Sequence, residues 1–136
     1  MINSQIIKIA SKSNNAGLKN KFTHRSSVKN SICGDFIKVE FIADKIKVKS
    51  MRYETESCIL CEASASLLSK KIKDKNINDL KKEILEFKRY LKKKDNNFPR
   101  RFKDFMQLID KDNINRLNCV ILPMDAYLKA FNINKL

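Results

Sequence analysis

Apolar residues recur along the chain with two different periods. Phe36, Val39 and Phe41, then Ile46, Val48 and Met51, fall in two β-branched runs separated by Ala43-Asp44-Lys45, a pattern that predicts a hairpin with strands over 36–42 and 46–54. The connection lacks the Asn-Gly pair of the tightest hairpins, so the strands are better defined than the loop between them. Ahead of it, Phe22 to Ser31 carries Thr, Ser and Val in loose alternation and reads as an edge strand entering a turn at Cys33-Gly34-Asp35. Ile2, Ile6, Ile7 and Ile9 form a weak helical pattern that stops in the polar breakers Ser11 to Gly17. After the hairpin the period becomes helical. Leu60, Ala63, Leu67 and Ile72 make a stripe through to Lys73, with possible capping hydroxyls at Thr55 to Ser57 and Glu62 in the first turn. Ala63-Ser64-Ala65-Ser66 leaves room for this helix to pack closely against the hairpin. Ile77, Leu80, Ile84, Leu85 and Phe87 mark a second helix over Asn76 to Leu91, and Phe98-Pro99 punctuates it. Phe102, Phe105, Met106 and Ile109 suggest a short helix, and Cys119 to Phe131 a last one, kinked or started by Pro123. One helix, two or three strands and then helices only is an α+β order.

The 136 residues suit one domain spanning the whole chain, 1–136. Net charge is +14, which attracts nucleic acid, anionic membranes and acidic proteins alike through long-range Coulomb fields. The basic residues are mostly scattered lysines, with runs only at Lys70-Lys71 and Lys92-Lys93-Lys94, so the charge reads first as a solvated surface. Two glycines in the entire chain exclude a Gly-rich phosphate loop. The apolar runs are too short to span a bilayer and no signal-type core is present, so the expectation is a cytoplasmic protein without membrane insertion. In that reducing setting four cysteines point to metal or thiol chemistry rather than to disulfides.

Cys58-x-x-Cys61 could be half of a zinc site completed by Cys33 and Cys119, although a second C-x-x-C pair is missing. Asp35 follows Cys33 across Gly34, so a carboxylate oxygen and a sulfur can approach one ion from the same turn. Three thiolates and one carboxylate then make a mixed site, in which the oxygen matches zinc or iron less well than sulfur and leaves more readily. Cys58 sits near a predicted helix start, where exposed amide dipoles favour its thiolate. Against this stands the plain reading of each thiol as a small buried hydrophobe.

Cys33-Gly34-Asp35, Cys58 followed by Ala63-Ser64-Ala65-Ser66, and Arg116-x-x-Cys119 together resemble the iron–sulfur scaffold family of IscU, SufU and NifU N-terminal domains. The likeness covers roughly residues 15–131. The long interval between Cys58 and Cys119 is similar to the SufU branch, as is Asn118 where IscU proteins carry histidine. No Leu-Pro-Pro-Val chaperone motif precedes Cys119, so a dedicated Hsp70-type partner is not implied. Ser57 and Ser31 depart from the family's glycine and proline, and Cys61 is an extra thiol, read as core. His24 has no motif around it and reads as a surface residue.

The resemblance implies a small antiparallel sheet of about three strands covered on one face by helices. It further implies that Cys33, Asp35, Cys58 and Cys119 hold metal or a transient [2Fe–2S]-type cluster, and that sulfur comes from a cysteine desulfurase of the SufS kind. Cys33 is the first candidate persulfide acceptor and Cys119 the second. Arg116 would hold the Asp35 carboxylate or a thiolate. Downstream partners would be SUF-type assembly proteins or apo-protein acceptors, and a monomer is expected. A zinc-dependent sulfurtransferase, in which Zn2+ masks Cys33 until a persulfide arrives, is the alternative. A basic zinc-containing nucleic-acid binder is a third reading, but it leaves Asp35 and the Ala-Ser helix start unexplained, so no specific nucleic acid is expected.

Overall fold

The structure is a computed structural model that describes residues 4–11, 14–30, 34–93, 99–109 and 117–131. Its elements run α1 (Ser4–Ser11), β1 (His24–Lys29), β2 (Phe36–Ala43), β3 (Lys47–Glu56), α2 (Ile59–Lys71), β4 (Lys75–Asn76), α3 (Ile77–Lys93), a 3-10 helix (Arg100–Leu108) and α4 (Leu117–Ala130). The four strands form one antiparallel sheet in the order β1-β2-β3-β4. The strand beyond the expected three, β4, is two residues long, too short to leave a periodic signal. It follows a left-handed residue, Asp74 (φ 62°), which swings the chain back so that Lys75 and Asn76 meet Val48 and Lys47.

Ile37, Val39 and Phe41 point into the core from β2, opposite Val48, Met51 and Tyr53 from β3. The spacing of three between Val48 and Met51 breaks the strand period. A register shift explains it: Phe41 pairs with Met51 and Ile42 with Ser50, but Ala43 pairs with Val48, so Lys49 is an extra residue and both apolar sets reach the same face. On the outer face the chain after α1 is pinned by polar groups. Gly17 N–H donates to the Tyr53 carbonyl, the Arg52 guanidinium donates to the carbonyls of Asn14, Ala16 and Gly17, and the buried Glu40 carboxylate accepts from the backbone N–H groups of Lys19 and Asn20.

α2 is the central helix. Leu60, Cys61, Ala63, Ser64, Ala65, Ser66, Leu68 and Ser69 are all buried, and the helix packs on α1, α4, the 3-10 helix and β3. The small residues therefore admit neighbouring helices as well as the hairpin; a residue enclosed on all sides leaves no one-sided apolar stripe to read. The 3-10 helix docks Phe102 and Phe105 on Phe87 of α3, with ring centroids 5.4 and 5.7 Å away. Pro123 neither starts nor ends α4; it lies inside, where its missing N–H leaves the Cys119 carbonyl without that helical donor. Next to it the Val120 carbonyl accepts the Ser64 hydroxyl at 2.6 Å, which ties α4 to α2. No helix among the described residues is long and apolar enough to cross a membrane.

Candidate functional site

The site is assembled from the start of β2 and the starts of two helices. Gly34 takes a left-handed φ of +79°, and a Cβ there would meet nothing within 4 Å, so glycine is wanted for its backbone and not for space. Gly34 N–H donates to the Asn30 carbonyl and Asn30 N–H to the Asp35 carbonyl, both at 2.7 Å. This closes the approach to β2 and delivers Asp35, only 7% exposed, to the N-terminus of α2.

There the carboxylate divides its two oxygens. One accepts the backbone N–H of Cys58 at 3.3 Å, and the other accepts the thiol of Cys119 at 2.9 Å. Cys58 is the residue that caps α2: its backbone is extended (φ −71°, ψ 163°) while its carbonyl accepts the N–H groups of Cys61 and Glu62. The hydroxyls of Thr55 to Ser57, expected as caps, do not serve; Ser57 donates instead to the Cys58 carbonyl. The reason is that β3 runs on to Glu56, which leaves only Ser57 and Cys58 to turn the chain into the helix. A thiol thus occupies the position usually held by a hydroxyl, and it faces the exposed amides of the first turn.

Asp35, Cys58 and Cys119 offer ligand atoms that all lie within 4.8 Å of one another. The two thiols share a proton unequally. A hydrogen bond from Cys119, aided by the backbone N–H groups of Cys61 and Leu60, brings Cys58 down to about 6 against the opposing effects of burial and the Asp35 charge. Cys58, burial and Asp35 push Cys119 well above the ordinary thiol range, because its single S–H proton is held between two acceptors, the Cys58 sulfur and the Asp35 carboxylate. Of the coupled pair, the partly buried Cys58 is thus the more acidic thiol and the buried Cys119 the one that keeps its proton longer. One carboxylate and two sulfurs converging at a helix N-terminus is a donor set for a borderline-soft cation such as zinc or iron.

Of the residues singled out in the sequence, Asp35, Cys58 and Cys119 meet. Cys33 and Arg116 lie outside the described residues. Cys61 is fully buried in α2 and stands apart from this ligand group, as the core reading expects. His24 differs from the surface reading: its ring stacks on Phe131 at 4.3 Å and its Nδ1 lies 2.9 Å from the Thr23 hydroxyl, because the end of α4 folds over β1. Two roles escaped the sequence. Asp35 braces the α2 N-terminus as well as offering an oxygen, and Ser64 fixes the height of α4 and hence of Cys119. A serine inside an all-small run opposite a helical proline was the available signal for the second.

No curated protein sequence matches the chain. The architecture is similar to the N-terminal domain of a nitrogen-fixing NifU-like protein from Brucella abortus, with a TM-score of 0.82 at 21% identity over 96% of this chain and 91% of that one. It is equally similar to a protein from the thermophile Fervidobacterium islandicum AW-1 described as an iron–sulfur cluster assembly scaffold for the SUF system, with a TM-score of 0.82 at 18% identity over 95% of each chain. Likeness at such low identity establishes the α+β fold. The family described as NifU-like N-terminal domain matches residues 1–99, a stretch that holds Cys33, Asp35 and Cys58 and ends before the helix that brings in Cys119. With nearly three-quarters of its length matched in sequence, the chain belongs to the NifU-like N-terminal domain family.

Proposed function

We propose that the protein is a scaffold for iron–sulfur cluster assembly, with the cluster as cargo. The observation that carries this reading is the convergence of Asp35, Cys58 and Cys119 within 4.8 Å at the N-terminus of α2. Family membership and the fold shared with a SUF-system scaffold support it. Cys33, two residues before Asp35, is the fourth ligand in this proposal and the first candidate to receive sulfur from a cysteine desulfurase. Cys119, buried beside Asp35, is the second candidate. Arg116, three residues ahead of Cys119, pairs with the carboxylate or with a thiolate. The hydrogen bond from Cys119 and the amides of the α2 first turn bring the Cys58 thiol down to about 6, so little proton displacement is needed for it to bind iron. Asp35 contributes the one oxygen, the weaker donor to a thiophilic ion, and gives the assembled cluster a position from which to leave. The cluster is of the [2Fe–2S] type, and apo-proteins or SUF-type assembly proteins are its acceptors.

The same donor set suits zinc, and a closed zinc site would make the protein a sulfurtransferase that relays persulfide. The test is anaerobic purification followed by reconstitution with a cysteine desulfurase, cysteine, ferrous iron and dithiothreitol, the thiol reductant that takes persulfide sulfur to sulfide. Iron and acid-labile sulfide in equal amounts, absent from Cys58→Ala, are the expected result. Zinc retained without labile sulfide, together with transferable persulfide, would replace the scaffold reading with the sulfurtransferase one.

A further inference from the structure

The outer face of the sheet carries a groove that the thiol site does not use. It lies over β1 and β2, has a volume of about 670 Å3, and is bordered by Leu18 and Asn20 of the segment that Glu40 pins. Three cations line it: Arg25 from β1, Lys38 from β2 and Lys129 from the last turn of α4. Some cations elsewhere are matched to carboxylates, as in Lys71 with Asp104, Lys88 with Asp125 and Arg101 with Glu83. But 29 basic residues outnumber 15 acidic ones, so what marks the groove is that it gathers three unmatched cations on one concave surface. Among the described residues, the three groove cations have no such partner. Arg25 sits 4.8 Å from the Phe22 ring centroid, Lys38 Nζ 5.8 Å from that of Phe36, and Lys129 Nζ donates to the Ser27 carbonyl at 2.9 Å. The one carboxylate in the groove, Glu40, is 6% exposed and already accepts two backbone N–H groups. An open concave surface with this balance concentrates anions.

We propose that this groove receives an extended acidic segment of a partner protein. Three features favour a polypeptide. First, β1 is an edge strand that pairs, among the described strands, only with β2. Asn30 N–H donates to the Asp35 carbonyl, and alternation from that pair turns the backbone groups of Arg25, Ser27 and Lys29 away from β2. Lys129 meeting the Ser27 carbonyl fits that direction. An added extended segment gains main-chain bonds at the remaining edge groups of Arg25, Ser27 and Lys29, the Ser27 carbonyl being held by Lys129, while its carboxylates meet the cations. Second, the cations come from two strands and a helix, with Arg25 opposite Glu40 and Lys38 opposite Ser27, so they follow the run of the strands as the carboxylates of an extended chain would. Third, Phe22 and Ile42, 37% and 39% exposed, flank the Arg25 end and offer apolar contact. A second copy of this chain, itself at +14, is repelled. Lys129 and Cys119 stand at opposite ends of α4, about 15 Å apart at the rise of a helix. A partner held in the groove thus comes within reach of the thiol site without covering it.

The probe is a fluorescein-labelled peptide of alternating Glu and Val, read by anisotropy at about 0.1 M salt, beside its Gln-Val counterpart. The variant Arg25→Glu/Lys38→Glu/Lys129→Glu is compared with Lys73→Glu/Lys82→Glu/Lys103→Glu, which makes the same change of net charge at exposed helix-side lysines. The expected result is a loss of about tenfold or more for the groove variant, about twofold or less for the other, and no binding of the Gln-Val peptide. Should the triple reversal disturb the fold, as seen by circular dichroism, the single neutralisations Lys38→Gln and Lys129→Gln are each expected to weaken binding about threefold. Equal losses in the two triple variants, or no peptide binding by the parent, overturn the proposal. Pyrophosphate or a single-stranded oligonucleotide outcompeting the peptide at the groove overturns it too, in favour of a small-anion or nucleic-acid site.

Discussion

The unequal sharing of a proton between Cys58 and Cys119 makes a prediction that needs no metal. In metal-free protein Cys58 has its midpoint at about 6, and the largest cause is the hydrogen bond from Cys119. At pH 7 a thiol with that midpoint is roughly nine-tenths thiolate, whereas one at its ordinary value near 9 is about one-hundredth thiolate. A less basic thiolate is also a weaker nucleophile; a slope of about 0.45 over three units costs roughly twentyfold. The net expectation is that Cys58 alkylates only about four- to fivefold faster than an unperturbed thiol at pH 7. The position of the pH profile is therefore the sharper readout. Iodoacetamide labelling, quenched and mapped by peptide mass spectrometry to separate Cys58 from Cys33, Cys61 and Cys119, should show Cys58 reactivity rising through about pH 6 and then level. Removing the donor in Cys119→Ala should move that rise upward, because burial then opposes the thiolate with only the amides of Leu60 and Cys61 left to favour it. A wild-type midpoint near 9, or a profile that Cys119→Ala leaves in place, would refute the reasoning.

Metal analysis of single variants should show loss of bound metal in Cys33→Ala, Cys58→Ala and Cys119→Ala, while Cys61→Ala keeps the parent stoichiometry; full metal in any of the first three sinks the shared site. Asp35→Ala should retain a reconstituted cluster longer and pass it to an acceptor more slowly, as followed by visible absorbance, because the exchangeable oxygen is gone; transfer at the parent rate would reduce Asp35 to a brace for α2. Ala65→Leu, placed in the fully enclosed centre of α2, should destabilise the fold by about 1–3 kcal/mol in urea titration, and an unchanged midpoint would show that α2 is less tightly surrounded than it looks here.

The hairpin was legible in the chain because β-branched and aromatic residues alternate on one face: the expected strands 36–42 and 46–54 correspond to Phe36–Ala43 and Lys47–Glu56. The same holds for α3, whose one-sided stripe is what a surface helix requires. The thiol and carboxylate constellation was legible by residue type, since Cys33-Gly34-Asp35, Cys58 and Cys119 resemble a known family. Tertiary structure decided the rest. Local sequence carries no signal for β4, because two residues cannot display a period, nor for the bulge that places Val48 and Met51 on one face. α2 showed little amphipathicity because it is buried on nearly every side, so its central place follows only from the helices around it. The sequence could nominate Asp35 as an oxygen donor, but not show that one carboxylate spans the Cys58 amide and the Cys119 thiol. That bridge joins residues 84 positions apart, and a contact of such separation exists only after β2, α2 and α4 have packed.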